Sequence, residues 1–249
     1  MGRTSSYHTV YGKYPVFLAI RGRMGSLVSI HTSNHRELLQ FTSDVGISID
    51  PGIIEQKNNA ELSKMLGDKH INHQGYIAYF RAGKETDLHD FVRDRCSGAG
   101  KRPKLLILDE LTDPHNVGAI IRTAVAFGVE YIIKTERNSP KDMSVLAKTS
   151  AGTSELVNLI EVVNINRTIE ILKESGYFVL GLCGKSEKSL EDVKDMANLC
   201  LVIGSEGRGM RQLVRKNCDM VCSIKMKNTA VESLNASVAA ALAIYELWG

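Results

Sequence analysis

From residue 105 onward the chain alternates short, continuously apolar runs with stretches of helical length, and few folds accommodate that rhythm. Leu105–Leu108, Tyr131–Ile133, Ser154–Val163, Tyr177–Cys183, Leu199–Ile203 and Val221–Met226 read as strands. Val117–Phe127 reads as a helix closed by Gly128, and Asn164–Ser175 as one stopped by Gly176. Met210–Asn217 and Leu234–Trp248 read as two more. A strand that is apolar at every position is buried on both faces, and an intervening helix returns the chain to the same edge. The expected fold is therefore α/β, a parallel sheet with helices on both faces. Ligands of such sheets gather beyond the C-terminal strand ends. Three unusual loops, 109–116, 204–209 and 227–235, fall there.

Upstream the organisation changes. Residues 84–103 are polar and end in Ser97-Gly98-Ala99-Gly100-Lys101-Arg102-Pro103, a linker composition. This divides the chain into a small module at 1–83, a linker at 84–103 and a larger domain at 104–249. In the module, Leu38, Leu39, Phe41 and Val45 indicate a helix and Gly75–Phe80 a closing strand, as in a small α/β unit. The module holds nine Lys and Arg against six Asp and Glu, an excess equal to the +3 of all 249 residues. Lys13, Arg21 and Arg23 lie close together and could form a phosphate-contacting face or simply a few solvated charges. The five cysteines include no Cys-x-x-Cys pair, and no apolar leader or run of membrane-spanning length is present. A reducing, cytoplasmic setting is expected.

The loop Gly204-Ser205-Glu206-Gly207-Arg208-Gly209 follows a strand as a phosphate cradle would, yet carries a carboxylate that would repel phosphate. Other nucleotide signatures fail as well. Gly184-Lys185-Ser186 has Val179 where a Walker loop needs glycine, and the glycine order at 204–209 is not the dinucleotide-binding one. His70-x-x-His73 and Cys218-x-x-x-Cys222 lack partners at zinc spacing, so no metal is expected. No Gly-x-Ser-x-Gly elbow occurs.

What remains is a constellation on the three loops. Asn116, after Pro114, has the chemistry of a helix N-cap, which alone would account for it. Arg122 sits among Ile120, Ile121, Ala124 and Val125, either reaching solvent along its stem or held at a ligand site. Glu206 occupies the second loop. Ser233 and Asn235 stand at the mouth of the last helix, where either could cap it. Each has a bland explanation; together they place an Asn, an Arg, a Glu, a Ser and a second Asn along one sheet edge.

The segments DPHNVGAIIRTA, LVIGSEGRGM and ESLNASVAAALAIYE resemble the three signature motifs of the SpoU (TrmH) family of RNA ribose 2′-O-methyltransferases, in the family's order. LAKTSAGTSE at 146–155 resembles the stretch between the first two. YGKYPV at 11–16 and HQGYIA at 73–78 resemble the small RNA-binding domain, similar to ribosomal protein L30e, of the branch that methylates a guanosine of large-subunit (23S) ribosomal RNA. The resemblance implies a C-terminal trefoil knot of the SPOUT type, a homodimer, and S-adenosylmethionine as methyl donor. A sulfonium cation, unlike a phosphate, tolerates Glu206. The implied cofactor set is Gly204, Glu206, Gly207, Gly209, Ile224, Met226 and Leu234, with Gly204, Ile224 and Leu234 acting through main chain.

The resemblance places the catalytic arginine at Arg122, with Asn116, Glu206, Ser233 and Asn235 around it; Glu206 and Asn116 are expected to fix its guanidinium and the ribose. Because a guanidinium stays protonated, orientation and stabilisation of the forming alkoxide are expected rather than proton abstraction. Ala236, Ala239, Ala240 and Ala243 form a small-residue stripe that would admit a second subunit or lie on the protein's own sheet. Two departures accompany the match: Ile224-Lys225-Met226 lacks the family's proline, and Lys227–Val231 is longer and lacks its glycine. A tRNA ribose methyltransferase and a non-catalytic RNA-binding protein of the same fold are the alternatives.

Overall fold

The computed structural model describes residues 7–67, 71–81, 86–98, 100–184, 186–193, 196–227 and 233–249. The chain forms two compact units, Met1–Lys84 with Met143–Leu156, and Glu85–Asp142 with Val157–Gly249. His70 of the His-x-x-His pair, Lys185, and residues 228–232 of the third loop lie outside the described residues.

The first unit runs β1 (Tyr7–Tyr11), α1 (Lys13–Arg23), β2 (Leu27–Thr32), α2 (His35–Asp44), β3 (Ile54–Gln56), α3 (Asn59–Leu66) and β4 (Tyr76–Arg81). Its sheet has the order β1-β4-β2-β3, with β4 antiparallel to both neighbours and β3 parallel to β2. The strand expected at 75–80 is thus internal to the sheet. Val16, Phe17 and Ile20 of α1 pack on Ile30, Leu38, Tyr76 and Phe80. The Phe17 ring stacks on Phe41 with centroids 4.1 Å apart.

The second unit starts with α4 (Leu88–Arg95), inside the stretch read as a linker. Asp87 caps it by accepting the Asp90 N–H, and Leu88 and Phe91, one turn apart, are buried. Next come β5 (Leu105–Asp109), α5 (Pro114–Ala126) and β6 (Tyr131–Thr135). The chain then makes α6 (Met143–Thr149), which belongs to the first unit, before β7 (Asn158–Val162), α7 (Ile165–Glu174), β8 (Phe178–Leu182), β9 (Leu199–Gly204), α8 (Gln212–Asn217), β10 (Met220–Cys222) and α9 (Ala236–Trp248). Six strands lie in the order β10-β8-β9-β5-β6-β7, and every pairing is parallel. Leu105, Ile107, Ile133, Val179 and Val202 point to one face, against Phe91, Ile165, Ile169, Leu172 and Val214 of α4, α7 and α8. On the other face α5 and α9 pack together, and α9 also touches β9.

Two expectations change, and one open alternative is decided. The run Ser154–Val163 is not one strand: Thr153–Leu156 is a 3₁₀ turn, and only Asn158–Val162 is β. The turn and α6 pack on α1 and β1, and Glu155, 3% exposed, holds the His8 Nε2 at 3.2 Å and accepts from Arg23 Nε at 3.1 Å. The strand at Val221–Met226 contracts to Met220–Cys222. On α9, Ala236, Ala240 and Ala243 are buried within their own unit, so the small residues serve internal packing; Val238, Leu242 and Tyr245 form the exposed stripe instead. No helix among the described residues is long and apolar enough to cross a membrane.

Candidate active site

The site is assembled where β5 and β9 end and α9 begins. After β5, Asp113 takes the N-cap of α5, its side chain accepting the His115 N–H at 2.9 Å with Pro114 at the first helical position. Asn116 is therefore not the cap. Proline presets the first helical φ and needs no N–H partner, so the cap falls one residue before it, and Asn116 lies one turn inside with its amide free for other bonds. At the third segment Asn235 does cap α9, its Oδ1 accepting from Ser237 N at 2.9 Å and Ser237 Oγ at 2.6 Å.

Three of the expected side chains meet. Asn116 Nδ2 donates to Asp113 Oδ2 at 2.8 Å and to Glu206 Oε1. Asn235 Nδ2 donates to Asn116 Oδ1 at 3.1 Å and to Glu206 Oε1 at 3.4 Å. Glu206 thus joins both asparagines through one oxygen. The bond from Asn116, then the His115 N–H, holds the Asp113 carboxyl below its ordinary range. Asn116 is buried, whereas Glu206 and Asn235 are exposed. A cleft of about 370 Å³ adjoins the cluster, lined among others by Glu110, Asp113, Asn116, Asn138, Glu206 and Arg208.

Arg122 does not join them. It lies six residues beyond Asn116, about 9 Å along α5 and about 120° round it, exposed and without a hydrogen bond or ion pair among the described residues. Its guanidinium is therefore not fixed by Glu206 and Asn116 within the chain. Ser233 is exposed and bonds to no described residue. Of the module's cations, Lys13 pairs with Glu37 and Arg23 with Glu155. Arg21 is exposed.

The glycine loop settles its own question. The N–H groups of Ser205, Arg208 and Gly209 donate to Gly209, Glu206 and Ser205 carbonyls, so they are used inside the loop and do not converge on an anion. A Cβ on Gly204 would lie 2.1 Å from Met210 N and 2.2 Å from the Gly209 carbonyl carbon. Gly207 and Gly209 adopt φ of +75° and +67°. The main-chain N–H groups of Ile224, Met226 and Leu234 donate to no described residue. A loop that spends three of its N–H groups internally and carries a carboxylate, with unused main-chain donors nearby, fits a cationic cofactor held by backbone.

Sequence reasoning missed the strut beneath this loop. Asp109, fully buried at the end of β5, accepts from the Arg211 main-chain N–H at 2.9 Å, its Nε at 2.9 Å and its Nη2 at 2.6 Å. The signal was present: a lone acid closing an apolar strand. No group of three His, Cys, Asp or Glu that could hold a metal occurs among the described residues. All five cysteines are free thiols, and burial pushes Cys218 up to about 12.

A parallel α/β sheet with this polar cluster at its C-terminal edge is a ligand site of the open α/β class. The profile of the SpoU rRNA Methylase family matches residues 103–245. The chain is 34% identical over 241 residues to an uncharacterized tRNA/rRNA methyltransferase of Synechocystis sp., covering 96% of this chain and 62% of that protein's length. It is 39% identical over 188 residues to the 23S rRNA (guanosine-2′-O-)-methyltransferase RlmB of Vibrio vulnificus, 74% of each. Its fold matches the crystal structure of the SpoU methyltransferase AviRb from Streptomyces viridochromogenes in complex with the cofactor AdoMet, with a TM-score of 0.73 at 23% identity over 97% of this chain and 89% of that one. The chain belongs to the SpoU rRNA methylase family.

Proposed function

We propose that the chain transfers the methyl group of S-adenosylmethionine to the 2′-hydroxyl of a ribose in RNA, and that the target is a guanosine of large-subunit ribosomal RNA. The meeting of Asn116, Glu206 and Asn235 from three separate loops carries this reading. The likeness to RlmB, whose name specifies a 23S guanosine, supports the substrate.

When bound, S-adenosylmethionine supplies an electrophilic methyl group on a sulfonium. Gly204, Ile224 and Leu234 would hold it through main chain with Met226 beside them, Gly207 and Gly209 would let the loop approach closely, and the Glu206 carboxylate would suit its positive charge. Asn116 and Asn235, locked by Glu206, orient the ribose, with Ser233 completing the polar wall. Arg122 stays protonated and stabilises the oxyanion forming at the 2′-position. Arg122 and the apolar stripe of Val238, Leu242 and Tyr245 are both exposed on the packed α5–α9 pair. That pair is the subunit interface of a homodimer, and dimerisation brings Arg122 to the cluster. Val238, Leu242 and Tyr245, at i, i+4 and i+7, expose one apolar helix face that such an association would cover.

The larger domain, 104–249, performs transfer and closes in a trefoil knot, α9 lying against α5 and the 3₁₀ turn Leu190–Asp192. The module at 1–83 binds RNA, with Lys13, Arg21 and Arg23 on its contact helix, in the manner of L30e. The connection between them is shorter than 84–103, since α4 packs within the second unit. The protein works in the cytoplasm. Labelled methyl transfer to unmodified 23S ribosomal RNA and, separately, to tRNA tests the reading. Label in ribosomal RNA, lost in Arg122→Ala, is expected; label in tRNA alone overturns the substrate, and label in neither overturns the reaction.

A further inference from the structure

The cleft beside the cluster poses a problem of charge: an RNA methyltransferase brings a polyanion to a cleft lined by three carboxylates. Two of them have work to do. Asp113 caps α5 and holds Asn116, and Glu206 bridges Asn116 and Asn235. Glu110 has neither task. Its Oε1 accepts from Asn138 Nδ2 at 3.2 Å and from Arg211 Nη1 at 3.3 Å, while its Oε2 has no partner among the described residues. Arg211 is itself fastened to buried Asp109. Glu110 is thus a carboxylate pinned by one oxygen, 31% exposed at the side chain, with the other oxygen open.

We infer that this cleft seats the target base and that Glu110 reads it as guanine. The inference rests on the reaction proposed above and adds how the nucleoside is chosen. An ionised carboxylate only accepts hydrogen bonds. Guanine alone among the four RNA bases presents two adjacent N–H donors, N1–H and the N2 amine, on its Watson–Crick edge. Adenine and cytosine pair one amine with a ring-nitrogen acceptor, and uracil sets one N–H between two carbonyls. A carboxylate facing those edges meets lone pairs. Enzymes that act on a base drawn out of its stack read this same edge. Asn138, with a second amide hydrogen beyond the one given to Glu110, stands beside it to donate to guanine O6. Arg208, exposed on the same cleft and pairing with no described residue, supplies a positive charge for the nucleotide's phosphate.

The test uses the full chain and 23S ribosomal RNA. The methylated nucleotide is mapped by mass spectrometry of nuclease fragments. A synthetic RNA hairpin carrying that position is then made with guanosine or with inosine, which lacks only the N2 amine. The wild-type kcat/KM is expected to fall about 10- to 100-fold on inosine, the range for a lost bond to a charged acceptor. In Glu110→Gln the guanosine-to-inosine ratio is expected to collapse to about unity, with S-adenosylmethionine affinity by calorimetry marking an intact cofactor loop. A preserved ratio in Glu110→Gln, no wild-type discrimination, or methylation at another nucleoside overturns the inference while leaving the reaction standing. No transfer by wild-type protein to any RNA overturns both.

Discussion

Replacing either member of the Asp109–Arg211 pair breaks their side-chain ion pair, yet the two substitutions have unequal consequences. Asp109 is fully buried, whereas the Arg211 side chain is 42% exposed. Arg211→Ala strands a buried carboxylate with one main-chain N–H for company, a situation that costs about 3–5 kcal/mol. Asp109→Ala removes the buried charge itself. The arginine left behind keeps Glu110 at 3.3 Å and reaches water, so the loss is that of charge-assisted bonds, about 1.5–3 kcal/mol. Arg211→Ala is therefore the more damaging by about 1–2 kcal/mol, and the double variant is more stable than Arg211→Ala alone. The sole tryptophan, Trp248, belongs to the second unit, so its fluorescence on heating follows that unit's unfolding. For a chain of this size the gap amounts to about 2–8 °C in Tm. Equal Tm values, or a lower one for Asp109→Ala, would refute the burial argument.

Other substitutions probe separate parts of the account. Gly204→Ala drives a Cβ into the backbone of Gly209 and Met210, which cannot rotate aside as a side chain could. It is expected to destabilise by about 3 kcal/mol and to weaken S-adenosylmethionine binding measured by calorimetry. Leu242→Glu with Tyr245→Glu places charge in the exposed stripe of α9; on the proposed homodimer, sedimentation is expected to show dimers for wild type and monomers for this variant. In the first unit, hydrogen bonds from Lys13 and then Tyr76 hold the Glu37 carboxyl below its ordinary 4.5. A depressed carboxyl contributes stability above its unfolded value and loses it as pH falls through the folded one. Wild type should therefore lose more stability than Glu37→Gln between about pH 5 and pH 3 in acid-unfolding titrations.

What the sequence disclosed, and what it hid, follows from the range of the interactions involved. Strands buried on both faces declare themselves as unbroken apolar runs, so Leu105–Leu108 and Leu199–Ile203 were legible. The stops at Gly128 and Gly176 were too, with φ of +76° and +85°. The loops carrying Asn116, Glu206 and Asn235 were found because polar residues crowded the ends of those strands. Of the two readings open for Asn116 the capping one fails: Asp113 and Asn116 share the capping chemistry, and only Pro114 separates the cases. The alanines of α9 gave the helical spacing of a face without saying what covers it. Glu155 lies 147 residues from His8, and no local pattern announces that the turn around it packs on α1. The position of Arg122 was similarly invisible: its distance from the cluster depends on the rotation of α5, and the role proposed for it depends on a second subunit.

The central claim is that Asn116, locked to Glu206 and Asn235, is part of the catalytic centre. The most direct measurement is the single-turnover rate of methyl transfer from S-adenosylmethionine to unmodified 23S ribosomal RNA by wild type and by Asn116→Ala, with cofactor affinity measured alongside. The expected rate is lower by about 10²-fold, as when the groups that position a reactant are displaced, with cofactor affinity close to that of wild type. Transfer by Asn116→Ala at the wild-type rate would contradict the claim.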